Sequence, residues 1–438
     1  MLRVERESSY AAELLRSRTY QRLTTVDHAL ATELVMGVLR WRSLLDTEIG
    51  ERSAQVLGKL DLEVLTALRL GVYQIGWLSR IPARAAIDES VELVKRARKR
   101  SAAGFVNAVL RKVAGGMRRV EAAREVAVSD GTAETLAAHS AHPLWLVERW
   151  IATYGMDAAA AICWHDQAVP VTAIRLRSAA AEEALRAEGI ELAAGAVMAS
   201  ARRVLRGNVA ATEAFRAGMC GIQDEGSQLV AALVGRGERI LDCCAAPGGK
   251  TLAMRDRNSG AEIVAAEIHP HRARMLKENV SAHGDGTTKI GVIAADARGL
   301  PFAANFDRVL ADVPCSGTGT LARNPEIKWR LTSDDLPDLK NLQVAILRAA
   351  MEQVTAGGRV IYSTCSLEKE ENEEVVEQAL AGGGSFRVVD CGKELDRLRD
   401  EGQLSWRGAD LTRGAYLRTL PGLHPCDGFF AGVLERIG

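Results

Sequence analysis

Past Gly235 the chain changes its pattern, and that change constrains the fold more than any other feature. Apolar runs of strand length follow one another at Arg239–Asp242, Ile263–Glu267, Ile290–Ala295, Phe306–Val313 and Arg359–Ser363. Helical stretches at Pro270–His283 and Leu336–Val354 separate some of them. Strands that alternate with helices pair in parallel, because each needs a crossover to reach its neighbour. The expectation is a parallel α/β sheet, with Asp427–Ile437 as a closing strand. Upstream the spacing is helical instead, over Thr32–Arg40, Leu60–Leu78, Ala86–Arg98 and Gly104–Val113, with turns at Gly50 and Ile81-Pro82. Helical pattern continues from Thr132 to about Val169 and carries Trp145, Trp150 and Trp164. From Pro170, short alternating runs at Val171–Leu176 and Arg203–Arg206 mark a small α/β region. Three domains are therefore expected, over 1–135, 136–234 and 235–438.

The chain has 438 residues, 47% of them hydrophobic and 26% charged, enough for two or three soluble domains. No apolar stretch approaches the roughly 20 residues that span a bilayer. The charged start, Met1 to Glu7, predicts no secretory signal. Eight cysteines without regular spacing, and without a Cys-x-x-Cys pair, read as reduced thiols in a cytosol and not as a zinc site. Cys163, Cys220 and Cys391 are expected to be buried small hydrophobes. Net charge is zero, yet eleven Lys or Arg face three acids between Arg80 and Arg119, a local charge of +8. Such a patch suits nucleic acid.

The turn from Asp242 to Lys250 has glycines at its apex, Gly248 and Gly249, where backbone must approach a ligand. Glu267 closes the next run and is placed to accept both hydroxyls of a ribose; Asp296 follows the third and faces an adenine amino group. A phosphate-binding P-loop needs glycine where Cys244 stands, and the dinucleotide fingerprint is missing. Glycines that a nucleophile elbow would need around Ser316 are Pro314 and Thr318. A nucleoside without a polyphosphate remains, and S-adenosylmethionine fits best.

Cys315 in Asp312-Val313-Pro314-Cys315 and Cys365 in Ser363-Thr364-Cys365-Ser366 each follow an apolar run directly. The blocks Asp242–Thr251, Asp312–Thr320, Arg323–Trp329 and Tyr362–Ser366 resemble the RNA cytosine-5 methyltransferase family, and within it the bacterial ribosomal small-subunit (Sun/Fmu) group. Phe105–Arg111 and Glu33–Arg42 resemble the NusB-type helical domain fused to such enzymes. The resemblance implies a multidomain fold: an all-α NusB-like N-terminal domain, a small α/β middle region that links or binds RNA, and a C-terminal α/β Rossmann-like class I methyltransferase domain.

It also implies roles. Cys365 becomes the nucleophile towards C6 of cytosine, Cys315 assists product release, and Asp312 holds the base edge and protonates N3. Cys244, Ala245, Ala246, Pro247, Gly248, Gly249, Lys250, Glu267, Asp296 and Asp312 surround S-adenosylmethionine. Lys250 and Lys328 are candidates to favour a thiolate. Arg96, Arg98, Lys99, Arg100, Arg111 and Lys328 are expected on RNA, a cytosine in a hairpin loop of 16S ribosomal RNA. Cys243, which replaces the family's usual apolar residue, is expected to be buried. Acids at 368, 370, 371, 373 and 374 read as dipole-matching residues of a helix start, while Gln223–Gln228 resembles the family's segment leading into the catalytic domain, with a helix cap as the alternative reading. A cytoplasmic monomer without metal is expected. Transfer RNA is an alternative substrate, and a non-catalytic NusB-like RNA-binding or antitermination factor is the alternative of another class. A DNA cytosine methyltransferase needs the Pro-Cys thiol alone and leaves Cys365 unused.

Overall fold

The computed structural model describes every residue except 8, 18, 19, 21, 117–130, 283–287, 303, 304, 382–384 and 438. Arg118, Arg119, His283 and the Gly382–Gly384 loop lie outside the described residues. Contacts divide the chain into two units, Met1–Val169 with Leu321–Arg330, and Pro170–Thr320 with Leu331–Gly438. This grouping differs from the expected spans 1–135, 136–234 and 235–438, and shared cores explain it. Ala141 and Trp164 join the apolar cluster of Val38, Leu45 and Leu68. Met198, Leu229 and Val230 join that of Ile240, Ile263 and Leu310.

The first unit is helical. It contains helices Thr25–Arg40, Arg42–Arg52, Leu62–Trp77, Ala83–Arg96 and Ala103–Ala114; Ala83–Arg96, for example, buries the stripe of Ala86, Ile87, Ser90 and Val94. Thr24 starts the first of these by accepting a hydrogen bond from Asp27 N at 3.1 Å, a cap that contributes about 1 kcal/mol. Short helices Leu2–Arg6 and Ala11–Arg16 precede these, and helices Ala133–His139, Leu144–Tyr154 and Met156–Asp166 follow them.

In the second unit a small antiparallel sheet comes first: β1 (Ala173–Leu176), β2 (Glu191–Ala194), β3 (Ala201–Arg206) and β4 (Cys220–Ile222), in the order β2-β3-β1-β4. Helix Glu225–Leu233 leads out of it, and Asp224 caps that helix through Gly226 N at 2.8 Å, in line with the capping reading of Gln223–Gln228. The large sheet contains β5 (Arg239–Asp242), β6 (Glu262–Glu267), β7 (Lys289–Ala294), β8 (Phe306–Asp312), β9 (Val354–Thr364), β10 (Phe386–Val389), β11 (Thr412–Arg413), β12 (Tyr416–Arg418) and β13 (Phe430–Arg436). Their order is β11-β12-β13-β9-β8-β5-β6-β7, with β10 on β13. Strands β5 to β9 pair in parallel, and β13 closes antiparallel on β9.

Side chains alternate between two cores, as strand geometry requires. Ile240, Leu310, Ile361 and Val433 point to one, and Leu241, Val309, Val360 and Leu434 to the other, all of them fully buried. The five parallel strands match the five apolar runs to within a few residues, apart from an earlier start for β9. No helix among the described residues is long and apolar enough to cross a membrane.

Candidate active site

Strands β8 and β9 are parallel neighbours, with Asp312 paired to Ser363. Adjacent strands lie about 4.8 Å apart, so the residues that follow each strand leave the same edge side by side. Cys315 and Cys365 are those residues. Their sulfurs stand 3.3 Å apart, and both are free thiols. The hydrogen bond with Cys365 is the main cause that pushes the Cys315 thiol well above its ordinary range, with burial and the charges of Cys365 and Glu371 adding to it. Cys315 therefore keeps its proton at neutral pH.

Lys250 opens towards this pair from the first turn of helix Gly249–Arg257. Its ammonium donates to Asp312 Oδ2 at 2.7 Å and lies 5.1 Å from the centre of the Phe429 ring, a favourable cation–π distance. Burial works against the charge, but the Asp312 carboxylate, with Cys365 and Asp242, carries the lysine above its ordinary value. Ser363 Oγ donates to the other Asp312 oxygen at 2.6 Å. Both oxygens of Asp312 are thus held in place.

The cofactor loop begins where β5 ends. Asp242 is 1% exposed; its Oδ2 accepts from Thr251 Oγ1 at 2.7 Å, while its Oδ1 is buried without a partner. Burial, and then the Asp312 charge, push this carboxyl up to about 7. Gly248 has φ +110°, and a Cβ there would meet Leu276 Cδ1 at 2.9 Å. Only glycine fits both the backbone and the space. An orphaned acceptor beside a glycine turn at a helix start suits a small nucleoside-bearing ligand, so these residues fit S-adenosylmethionine. Glu267 is buried at the end of β6, with Oε1 accepting from His269 N at 3.0 Å. Asp296 lies two residues beyond β7 and grips Arg298 with both oxygens. Cys243 is buried as expected, and so are Cys163, Cys220 and Cys391.

A second feature escaped sequence reasoning. Glu371, expected to serve a helix dipole, is fully buried and ties the two thiol loops together. Its Oε1 accepts from Ser316 N and Gln343 Nε2, each at 2.8 Å. Its Oε2 accepts from Ser316 Oγ and, at 2.5 Å, from Ser366 Oγ. Close by, Gly319 N donates to Cys365 O at 2.8 Å and Gly428 N to Gly319 O at 2.7 Å. Nothing in a run of acids singles out the one that turns inward.

The expected RNA contacts divide. Arg96, Arg98, Arg100 and Arg111 are exposed on the helical unit, and Lys99 pairs with Asp61 at 2.9 Å. Lys328 does not belong with them. It is 1% exposed, and its ammonium donates to Arg40 O at 2.8 Å and Ala141 O at 2.9 Å. Trp329 Nε1 donates to Leu39 O at 2.6 Å. Helix Thr25–Arg40 leaves its last carbonyls without helical partners, and Lys328 and Trp329 satisfy two of them. The lysine caps a helix instead of touching phosphate or a thiolate. In the second unit, a cavity of about 1160 Å³ opens where β5 and β8 begin, lined by Arg175, Arg177 and Arg202 among others. Asp256 binds the first two arginines and Glu182 the third.

Comparison with known proteins gives this geometry a context. The profile of the 16S rRNA methyltransferase RsmB/F family matches residues 232–435, and that of the NusB family residues 2–115. A probable ribosomal RNA small subunit methyltransferase B of Bacillus subtilis is 34% identical over 451 residues, covering 100% of this chain and 97% of the relative. The ribosomal RNA small subunit methyltransferase B of Pseudomonas putida is 32% identical, covering 86% of each chain. Among solved structures, that of PH0851 superposes with a TM-score of 0.77 at 24% identity, covering 96% of this chain and 92% of the other. A methyltransferase homolog from Pyrococcus horikoshii covers 69% of this chain and 98% of its own, with a TM-score of 0.56 at 22% identity. The chain belongs to the RsmB/F family of 16S rRNA methyltransferases, which take their methyl group from S-adenosylmethionine.

Proposed function

We propose that this enzyme methylates C5 of one cytosine in 16S ribosomal RNA through a transient bond between Cys365 and C6 of the base. The observation that carries the reading is the pair of sulfurs 3.3 Å apart, with the Lys250–Asp312 ion pair beside it. Cytosine C5 is a weak nucleophile. A thiolate added to C6 makes the ring enamine-like and divides one hard step into easier ones. Cys365 forms the S–C6 bond while N3 takes a proton delivered through Asp312, which Lys250 and Ser363 orient. After C5 has gained its methyl group, a base removes the C5 proton. The S–C6 bond then breaks, its electron pair returns to Cys365, and N3 gives its proton back through Asp312; Cys315 assists this release. S-adenosylmethionine supplies the methyl group as an electrophile. The residues that would hold it are Asp242, the loop from Cys244 to Lys250, Glu267, Asp296 and Asp312.

The target base is taken from a hairpin loop, where unstacking costs less than in a duplex. Arg96, Arg98, Arg100 and Arg111 hold phosphates and orient the RNA without reading its sequence. The enzyme works in the cytoplasm as a monomer. Bisulfite sequencing of RNA from cells with and without the gene tests the reading. A single protected cytosine of 16S RNA becomes unprotected in the deletion. Loss confined to transfer RNA would overturn the substrate, and no loss anywhere would overturn the reaction.

A further inference from the structure

The chemistry proposed for the site uses its sulfurs one at a time, but the geometry also brings them within reach of each other. A disulfide bond is about 2.05 Å long, so the 3.3 Å between the sulfurs leaves about 1.2 Å to close. Two side chains share that approach. The backbone is already in place, because β8 and β9 deliver the two loops from one edge of the sheet. Glu371 accepts hydrogen bonds from Ser316 N and Ser366 Oγ, in each case the residue after a sulfur. Gly319 N donates to Cys365 O at 2.8 Å. The loops are thus fastened together next to the sulfurs, and the pair reacts as one preassembled unit with a high effective concentration.

The pair also stands apart from most of the other cysteines. Cys163, Cys220, Cys243, Cys391 and Cys426 are buried, and structural buried thiols are inert. Cys315 and Cys365 are half-buried, in a site that on the reading above admits a cytosine and therefore a molecule as small as hydrogen peroxide. Cys244 is the remaining half-buried thiol, and it is the competitor that a test must exclude.

We propose that Cys315 and Cys365 are an oxidation site whose reactant is a hydroperoxide, and that the disulfide they form switches methyl transfer off until a dithiol reopens it. An ionised sulfur of the pair attacks the peroxide. The S–O bond forms, the O–O bond breaks, and the leaving hydroxide takes up a proton as water. The second sulfur, losing its proton, then attacks the sulfenic sulfur. The S–S bond forms, the S–O bond breaks, and the hydroxyl group takes that proton and leaves as the second water. Both thiols are oxidised and one peroxide is reduced. A dithiol reverses the bond by exchange and becomes a disulfide itself. With both sulfurs in one bond, neither is free to attack C6 of a base. Forming the bond needs neither RNA nor cofactor, so only its consequence for methylation rests on the cytosine-5 reading.

The test exposes the full chain to hydrogen peroxide, blocks the remaining thiols with iodoacetamide, and maps the unreduced digest by mass spectrometry. Wild type yields a linked Cys315–Cys365 peptide that disappears on treatment with dithiothreitol. Methyl transfer to 16S ribosomal RNA is lost in proportion to the linked fraction and returns with dithiothreitol. Cys315→Ala has no neighbour to intercept the oxidised sulfur, so its Cys365 advances to sulfinic acid, which dithiothreitol does not reduce. Wild type that carries sulfinic acid at Cys365 without the linked peptide overturns the proposal. So does a link from either cysteine to Cys244, and so does a linked enzyme that methylates at the unoxidised rate while Cys365→Ala is inactive. The peptide map needs no variant to fold. An active Cys365→Ala would refute the methylation reading and leave the linked peptide as it is, so the two failures are distinguishable.

Discussion

Replacing Lys328 by Met is expected to remove a specific pH dependence from the stability of the helical unit. Burial pushes this ammonium down to about 7, against the pull of Asp166 and Cys163. An unfolded lysine titrates near 10.4. Between these values the unfolded chain binds more protons than the folded one, so stability rises with pH across that interval. Integrating from pH 7 to pH 9 gives a gain of about 2 kcal/mol in wild type that Lys328→Met lacks. His142, pushed well below its ordinary range by burial and then by the Lys328 charge, and Cys163, pushed far above it by burial, both feel that charge; burial, the larger cause in each, keeps their titrations out of the interval from pH 7 to pH 9. Denaturant unfolding followed by tryptophan fluorescence suits the measurement. Six of the seven tryptophans (Trp41, Trp77, Trp145, Trp150, Trp164 and Trp329) belong to the unit that contains Lys328. A stability difference between the two proteins that stays constant from pH 7 to pH 9 would refute the assignment of a helix-capping lysine whose charge burial disfavours. A steeper salt dependence of RNA binding in wild type than in Lys328→Met would revive the phosphate contact.

Three further outcomes follow from the site. Cys365→Ala loses methyl transfer, whereas Cys315→Ala accumulates a denaturation-resistant RNA adduct; gel mobility and methyl incorporation read the two. Gly319→Ala places a Cβ at 2.3 Å from Gly428 O, so it costs about 1–3 kcal/mol in the second unit and lowers turnover, measured by melting and by initial rate. Removing two phosphate contacts with Arg96→Ala and Arg100→Ala flattens the log–log salt slope of RNA binding by about 1.4, at roughly 0.7 per contact on a single strand, with turnover at saturating RNA unchanged.

How much of this was legible in the sequence varied with the kind of information required. Strands β5 to β9 were visible because each is an apolar run that contributes to both cores. Strands β10, β11 and β12 have only two to four residues at the edge of the sheet, too short for a periodic signal. The thiols were visible because a cysteine after a strand is a local pattern. The change of pattern at Pro170 was also visible and coincides with the unit boundary, whereas the expected first domain ended at residue 135. Lys328 and Glu371 were misread for the same physical reason. The sequence shows that a side chain is charged, not whether tertiary contacts will bury it, and Glu371 in addition sits among polar neighbours that suggest a surface.

Glu371, one of the two misread charges, bears on how the thiol pair is held. A sulfur pair at 3.3 Å is useful for covalent chemistry only if the two sulfurs differ, one to attack and one to retain a proton. Nothing in the strand geometry makes them differ, since β8 and β9 present Cys315 and Cys365 almost equivalently. The charged groups around them come from outside those strands, with Lys250 on the helix after β5 and Glu371 on the turn after Cys365. The remaining charges nearby are neutralised: Arg418 pairs with Glu373 at 3.0 Å while donating to Ser366 O at 3.2 Å. β12 and the segment leading into β13, which supply Arg418 and Gly428, thus brace the Cys365 loop without adding net charge. Replacing Glu371 by Ala, which removes the acceptor that both thiol loops share, is therefore expected to lower turnover, measured by initial rate.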